Sequence, residues 1–201
     1  MILIAFFLGS IPSGLLAVKL LTGSDPRKAG SGNIGFTNVL RVSSRAAAAL
    51  TLLGDVGKGA LAVWLMRQFG GSASPGPIDG MEMAAGLAAV TGHMFTPFLR
   101  FKGGKGVATA LGALLVAAPW VALITVIVWG VVLAASSYVS LASIVASATL
   151  PVTLMLFTGN PLAIGAGFIL AALVIVRHNE NIQRLRAGRE NTIRKPSDQP
   201  N

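Results

Sequence analysis

The sequence contains no cysteine and few charged residues. Without cysteine, both a disulfide framework and a thiolate metal site are excluded. Charged residues make up 11% of the 201 residues, whereas roughly a quarter of a soluble domain is charged. Hydrophobic residues reach 53%. This composition excludes an ordinary soluble domain and indicates an integral membrane protein.

The basic residues are concentrated at the ends of the apolar segments. A net charge of +9 would suggest a nucleic-acid partner if the chain were soluble. Here the Lys and Arg residues flank apolar runs, which is the pattern of membrane topology. We therefore predict a lipid bilayer as partner and no nucleic acid. The apolar run 2–18 lacks a basic leader and a small-residue cleavage site, so we expect a retained first span rather than a signal peptide.

Seven apolar segments are candidates for membrane spans, which need about 20 residues each. The fourth and fifth segments could instead form one helix that is interrupted at Pro119. A hairpin at Pro119 places the basic clusters within 19–45, 100–105 and 177–195 on one side of the membrane. A single helix would place the last cluster on the opposite side, against the positive-inside tendency. The candidate spans are 2–21, 46–69, 81–99, 107–118, 120–136, 141–158 and 161–176.

The hairpin alternative therefore predicts an all-α integral membrane protein with seven transmembrane helices. The N-terminus is then periplasmic and the C-terminus cytoplasmic. The segment 107–118 is short for a span, because its 12 residues give about 18 Å of helix. It must be extended by loop residues, or form a half-span.

The first polar motif lies in the basic loop that follows the first span, at residues 30–38. It formally matches the dinucleotide fingerprint Gly-x-Gly-x-x-Gly, but that fingerprint requires a preceding strand, and a membrane helix precedes this loop. The glycines permit a tight turn that aims N–H groups and the Ser31 hydroxyl at one point. An ordinary flexible loop is the alternative that remains open.

The second polar motif is the segment Lys102-Gly103-Gly104-Lys105. It is not a Walker A motif, because the position six residues before Lys105 is Leu99 rather than glycine. A glycine-rich backbone can wrap an anion with N–H groups, and two ammonium groups can neutralise it. We therefore favour a site for a phosphate-bearing substrate over lysines that merely mark topology. The nearby His93 is interpreted as a hydrogen-bonded interior histidine.

The third polar motif follows the last span. His178, Asn181 and Leu185 are spaced three and four residues apart, so they share one helical face. Histidine, asparagine and arginine together can bind an oxyanion and move a proton; a solvated basic tail is the alternative. Separately, Asp55 and Lys58 lie inside an apolar run. Because intramembrane charges are expensive, we expect them to form an ion pair that locks the bundle, in preference to a direct substrate contact.

Taken together, these motifs resemble a known family, the bacterial acyl-phosphate:glycerol-3-phosphate acyltransferases of the inner membrane. The resemblance covers nearly the whole chain and includes Leu8-Gly9-Ser10-Ile11-Pro12 and the Gly92-His93 pair before the Lys-Gly-Gly-Lys segment. It implies transfer of an acyl group from acyl phosphate to the sn-1 hydroxyl of glycerol 3-phosphate, which gives lysophosphatidate and phosphate. The matching segments are 8–12, 30–38, 92–109 and 178–190.

The residues agree with a direct transfer of the acyl group. The His-x-x-x-x-Asp motif of thioester-dependent glycerophosphate acyltransferases is missing, since Phe98 and Gln183 stand five residues after the two histidines. No Gly-x-Ser-x-Gly elbow and no cysteine support an acyl-enzyme. Single displacement between two bound phosphates fits better. Either His178 or a substrate phosphate can take the hydroxyl proton, since both titrate near pH 6.

We expect a catalytic set and a larger phosphate-binding set, with Arg45 as an alternative to Arg41. Ser140 enters through the resemblance alone. The catalytic set is His178, Lys105 and Ser31; the phosphate-binding set is Gly30, Gly32, Asn33, Gly35, Asn38, Arg41, Lys102, Gly103, Gly104, Ser140 and Asn181.

The remaining expectations concern organisation and partners. Residues 1–194 should form a single membrane domain with its active site in cytoplasmic loops, and residues 195–201 a disordered tail. No carboxylate cluster suited to Mg²⁺ appears, so we expect neither metal nor cofactor, and a monomer. Two alternatives from other classes are a permease for a phosphate compound and a structural membrane scaffold. A permease should bind near the midplane between repeated halves, and we find no repeat.

Overall fold

The structure is a computed structural model that describes residues 1–71 and 78–193. Within those ranges the chain forms α-helices, two 3-10 turns (Pro26–Lys28 and Pro97–Leu99) and no strand, as the all-α prediction requires. Arg194 and the predicted tail 195–201 lie outside the described residues. The helices are α1 (Ile2–Ser10), α2 (Ser13–Thr22), α3 (Phe36–Val42), α4 (Arg45–Phe69), α5 (Gly80–Met94), α6 (Val107–Ala117), α7 (Pro119–Ser136), α8 (Val139–Phe157), α9 (Pro161–Arg177) and α10 (Asn179–Arg186).

Four segments are long and apolar enough to cross a membrane, among the residues described. They are Ile2–Thr22, Arg45–Phe69, Pro119–Ser136 and Val139–Phe157, and the count becomes five if α9 and α10, bent by 57°, form one span. The helix α6 has 11 residues, which agrees with the short segment expected there. These helices make the chain a membrane protein. The count of seven spans and the orientation of the termini stay predictions.

Prolines define two of the helix boundaries. The break expected at Pro119 is confirmed, because α6 ends at Ala117 and Pro119 is the first residue of α7. Proline suits this first position because its missing N–H would be unpaired there in any case. The first apolar segment, predicted as the continuous span 2–21, is also broken, at Ile11 and Pro12. This second break exposes the backbone of Ile11 to polar partners inside the bundle.

Small residues let two helix pairs pack with their backbones in contact. A Cβ atom added at Gly59 in α4 would lie 2.1 Å from the carbonyl oxygen of Thr109 in α6, and one at Gly112 would lie 1.9 Å from that of Val56. The pair α1 and α5 packs in the same way through Gly9 and Gly92. Such contacts replace the interdigitation of larger side chains in membrane helices.

The apolar core and one ion pair hold the long helices together. Core side chains from α4 to α9 meet in one cluster, which includes Val63, Val90, Leu114, Leu154 and Val174. Arg67 of α4 makes two 2.7 Å hydrogen bonds to the carboxylate of Glu82 in α5 and donates to the carbonyl of Val116. By contrast, α7 buries only Val121 and Ala122, and it therefore lies at the periphery of the bundle.

Candidate active site

The loop between α2 and α3 is organised around Asn38. The side-chain nitrogen of Asn38 donates to the carbonyls of Pro26 at 2.9 Å and Asn33 at 2.8 Å, and its oxygen accepts from the N–H of Ser31 at 2.9 Å. Gly30 adopts a φ of 61°, in the left-handed region that favours glycine. The loop is therefore a defined turn, which argues against the flexible-loop alternative. It presents Ser31 at the exposed surface.

Apolar packing brings this loop to the Lys-Gly-Gly-Lys loop, defined as residues 100–106. Ile34 of the first loop is buried with Leu15 of α2 and with Leu99, the residue immediately before the second loop. Both polar motifs therefore lie at the same end of the molecule. The predicted residues Arg41 and Lys102 are exposed there.

The Lys-Gly-Gly-Lys loop is closed against the end of α5. The N–H of Gly103 donates to the carbonyl of Met94 at 3.0 Å, and that of Gly104 donates to the carbonyl of His93 at 3.1 Å. From the other side, the guanidinium of Arg177 donates to the carbonyls of Gly103 at 2.8 Å and Gly104 at 3.2 Å. Both glycines are therefore engaged within the protein through N–H and carbonyl, and their role here is close approach of the backbone.

Lys105 enters a polar network at the junction of α8, α9 and α10. Its ammonium donates to the side-chain oxygen of Asn181, and the amide nitrogen of Asn181 donates to Glu190 at 2.7 Å. The same carboxylate accepts from the hydroxyl of Ser140 at 3.0 Å and from Arg184 at 2.8 Å. The structure thus brings together three predicted site residues, Lys105, Asn181 and Ser140.

Glu190 is the residue that sequence reasoning missed as part of the site. It follows Gly188, which takes a φ of 64° and turns the chain back after α10. The segment then stays close to the start of α8, since the N–H of Ile193 donates to the carbonyl of Ser137 at 3.0 Å. A lone carboxylate among arginines, just after a glycine, is the signal that could have pointed to it.

Burial and neighbouring charges set the protonation of this network. Burial lowers the pKa of Lys105 to about 8, although Glu190 acts in the opposite direction. For Glu190, burial works against the charged form, but hydrogen bonds from Arg184, Asn181 and Ser140 outweigh it and lower the pKa of the carboxyl. Burial, reinforced by the charge of Lys105, also lowers the pKa of His178 to about 4. His178 is therefore neutral at pH 7, with Nδ1 2.8 Å from the carbonyl of Val174.

A second buried polar cluster lies directly behind the Lys-Gly-Gly-Lys loop. The ammonium of Lys58 is 2.8 Å from Oδ1 of Asp55, 2.8 Å from Nδ1 of His93 and 2.8 Å from the carbonyl oxygen of Ile11. The ion pair predicted between Asp55 and Lys58 is confirmed, and so is the interior, hydrogen-bonded position of His93. We refer to Asp55, Lys58 and His93 as the buried triad.

Most of the predicted residues fall into two groups at one end of the bundle, to which Arg41 of α3 and residues 102–104 of the second loop are added. Lys105, Asn181 and Ser140 share the network around Glu190, and His178 lies close enough for Lys105 to influence its titration. The other group is the turn around Asn38, which contains Gly30, Ser31, Gly32, Asn33 and Gly35. Over residues 1–71 and 78–193, no three His, Asp or Glu side chains gather in a way that could hold a metal ion.

Fold and site together define a multi-helix membrane protein with a partly buried polar network around Lys105 and Glu190 at one end of its bundle. The sequence model of the glycerol-3-phosphate acyltransferase family matches residues 1–188, and the chain belongs to that family. This confirms the resemblance drawn from the motifs.

Relatives and solved structures extend the match to nearly the full length. The chain is 44% identical to a glycerol-3-phosphate acyltransferase of Bordetella pertussis, over 97% of this chain and 91% of the relative. It is also 44% identical to one of Geobacter sulfurreducens, over 95% of each. A crystal structure of PlsY, an integral membrane glycerol 3-phosphate acyltransferase in its glycerol 3-phosphate form, superposes with a TM-score of 0.86 at 39% identity, covering 96% of this chain and 94% of that one. The lysophosphatidic acid form gives 0.83 at 38% identity, covering 95% and 92%.

Proposed function

We propose that this protein transfers an acyl group from acyl phosphate to the sn-1 hydroxyl of glycerol 3-phosphate in phospholipid biosynthesis. The products are lysophosphatidate and inorganic phosphate. Glycerol 3-phosphate and lysophosphatidic acid are the molecules held by the two similar crystal structures of PlsY.

The observation that carries the proposal is the network of Lys105, Asn181, Ser140 and Glu190. Two phosphate-bearing substrates bring several negative charges to one place, and a partly buried ammonium stabilises such charge strongly. Asn181 and Ser140 place an amide and a hydroxyl on the same carboxylate, so their orientations are fixed before substrate arrives. Arg177 and Arg184 surround this network with further positive charge.

Single displacement needs no nucleophile from the protein. The sn-1 oxygen attacks the acyl carbonyl carbon, the bond from that carbon to the phosphate oxygen breaks, and phosphate leaves with the electron pair. The hydroxyl proton passes to His178 or to a phosphate oxygen of a substrate. Ser140 is a poor candidate for an acyl-enzyme, because its hydroxyl faces a carboxylate whose pKa is lowered and which is a weak base.

Three of the remaining site residues are proposed to contact phosphate, and the others to shape the two loops that present them. Ser31 would reach the substrates from the turn around Asn38, Arg41 from the last turn of α3 and Lys102 from the second loop. Gly103 and Gly104 contribute through the shape of that loop. Gly30, Gly32, Asn33, Gly35 and Asn38 hold the turn in place.

The setting of the reaction is part of the same proposal. The chain would lie in the inner membrane as a monomer with seven spans, its N-terminus periplasmic and its site facing the cytoplasm. The acyl tail would stay against the apolar helices or in lipid while the acyl-phosphate head reaches the loops. No metal or other cofactor takes part, so activity should survive EDTA, and its loss with recovery on adding Mg²⁺ would contradict this point.

The test is transfer to labelled glycerol 3-phosphate by purified protein, offered palmitoyl phosphate and palmitoyl-CoA in parallel. We expect lysophosphatidate from the acyl phosphate alone. Lys105→Met should remove most of this activity, whereas Lys19→Met, which removes an exposed charge on α2, should leave it unchanged. Product from palmitoyl-CoA would refute the donor class. No product from either donor, with folded protein, would refute the proposed function, and uptake of labelled glycerol 3-phosphate into proteoliposomes would then test the permease alternative.

A further inference from the structure

The buried triad has no direct part in the proposed reaction, yet it contacts the loop that carries Lys105. The side chains of Asp55 and Lys58 are 3% and 6% exposed, so these charges are almost completely removed from solvent. Removing charges from solvent is costly, and this pair alone would stabilise the bundle little more than an apolar pair. The position of the triad, between α4 and the end of α5, suggests a more specific role.

His93 links the triad to the loop through both its backbone and its ring. Its carbonyl accepts from the N–H of Gly104 at 3.1 Å. Its ring packs so closely on Gly104 that an added Cβ would lie 2.1 Å from Nε2. Because an ammonium has only donors, the ring accepts from Lys58 through Nδ1. Lys58 therefore holds the ring of His93, and this ring packs against Gly104, the residue immediately before Lys105.

Lys58 also ties this arrangement to the break in the first apolar segment. Its third contact is the carbonyl of Ile11, where the break between α1 and α2 leaves that oxygen available. Two hydrogen bonds of one ammonium thus connect α4 to the break after α1 and to the ring of His93, while the ion pair with Asp55 stays within α4. Arg177 holds the opposite side of the loop through the carbonyls of Gly103 and Gly104. The loop is therefore supported from two sides, by the buried Lys58 through the ring of His93 and by the half-buried Arg177 directly.

We propose that Lys58, acting through His93, is a positioning residue that sets the placement of Lys105 against the substrate phosphates. This inference rests on the proposed function. Asp55 is the counter-ion of Lys58. Loss of Lys58 should release the ring and let the loop shift, so that Lys105 approaches the phosphate poorly. Misplacement by about 1 Å can lower a rate by about a hundredfold.

The chain offers a control in Arg67, which is more exposed than Lys58 but whose ion pair with Glu82 also joins α4 to α5; its third hydrogen bond goes to Val116 of α6 and not to the loop. We compare Lys58→Met with Arg67→Met, measuring kcat and KM for palmitoyl phosphate and glycerol 3-phosphate on detergent-purified, monodisperse protein. Both variants should melt at lower temperature than the wild type. Only Lys58→Met should lower kcat/KM, by about ten- to a hundredfold per folded molecule.

A second readout follows the loop itself, without relying on catalysis. Hydrogen exchange of the peptide that covers residues 100–106 should accelerate in Lys58→Met and stay unchanged in Arg67→Met, because only the first loses support for the N–H bond of Gly104. If Lys58→Met does not accumulate as folded protein, the pair Asp55→Asn with Lys58→Met decides, since it leaves no unpaired buried carboxylate.

The outcomes separate this inference from the proposed function. Unchanged kcat/KM and unchanged exchange in either Lys58 variant would overturn the positioning role while the wild type still makes lysophosphatidate. Equal losses in Lys58→Met and Arg67→Met would also overturn it, because they would show a general effect of stability. A wild type that makes no product would refute the proposed function, and the exchange measurement would still decide whether Lys58 holds the loop.

Discussion

Gly104→Ala is the substitution whose effect can be worked out most directly from the geometry. The new Cβ would lie 2.1, 2.8 and 3.1 Å from Nε2, Cε1 and Cδ2 of His93, whereas ordinary contact begins at 3.4 Å. The closest pair must therefore separate by about 1.3 Å. Either the ring of His93 or the loop has to supply this movement.

The loop should move, because the ring is held. His93 is 4% exposed and its Nδ1 lies 2.8 Å from the ammonium of Lys58. A shift of about 1 Å at Gly104 passes to Lys105, the next residue, and we expect kcat/KM to fall by about a hundredfold. Crowding in a packed interior should also cost about 1–3 kcal/mol of unfolding free energy.

The assay is lysophosphatidate formation from palmitoyl phosphate, with Gly130→Ala as the control. Gly130 lies in α7, where an added Cβ meets no atom within 4 Å, so its activity should equal that of the wild type. The double variant with His93→Ala supplies the space that the ring occupies, and in that background Gly104→Ala should have little further effect. Wild-type kcat/KM in the single variant Gly104→Ala would refute the reasoning.

Three further predictions concern protonation and the network around Glu190. Since the pKa of Lys105 is about 8, its charge is lost as pH rises through that value, and kcat/KM should decline above about pH 8. Lys105→Arg should lack this decline, because arginine stays charged. A wild-type kcat/KM that stays constant well above pH 8 would contradict the prediction. The pKa of Glu190 is lowered from 4.5, so its stabilisation is present above that value and lost as pH falls through the folded pKa. At pH 7, Glu190→Gln should therefore lower the free energy of unfolding by about 1–3 kcal/mol, and this difference from the wild type should disappear in acid. Equal stability of the two proteins at pH 7 would argue against the network. With a pKa of about 4, His178 is a weak base, so His178→Ala should raise KM more than it lowers kcat; a fall in kcat of about a hundredfold or more would instead assign it the general-base role.

The helices could be predicted from hydropathy and charge, but not all of their interruptions. A hairpin at Pro119 was preferred because it places the basic clusters on one side; α7 does begin at that residue, while the hairpin across the membrane stays a prediction. The break at Ile11 and Pro12 was missed because apolar residues continue on both sides of it. Hydropathy reports how apolar a segment is, whereas a missing N–H acts on the backbone and leaves no mark on that average.

Candidate site residues could be named from the sequence, but the contacts between them could not. Lys105 and Asn181 lie within recognisable motifs. Ser140 could be named only through the family resemblance, because a single serine at the start of a helix belongs to no motif with a characteristic spacing. Its partner Glu190 lies 50 residues further along the chain, and such a contact depends on how α8 and the segment after α10 meet.

The glycines of the second loop show another limit of the sequence. Their spacing suggested N–H groups that wrap an anion, but in the structure those of Gly103 and Gly104 close the loop onto α5. A sequence tells where the backbone is permissive and not which way its N–H groups point. Their direction is set here by the carbonyls of His93 and Met94, while Arg177, from a distant part of the chain, binds the carbonyls of the same two glycines.

The contrast between the glycine contacts and α7 bears on how such a chain can diverge. A neighbouring backbone occupies the place of any side chain at Gly59 and Gly112, and likewise at Gly9 and Gly92. No other amino acid can therefore replace these glycines unless the two helices separate. Most of α7 faces outward, and only Val121 and Ala122 are buried. The sequence of α7 can therefore change during evolution as long as it stays apolar. In a saturation library, we expect far more substitutions to be tolerated in α7 than where α4 packs against α6.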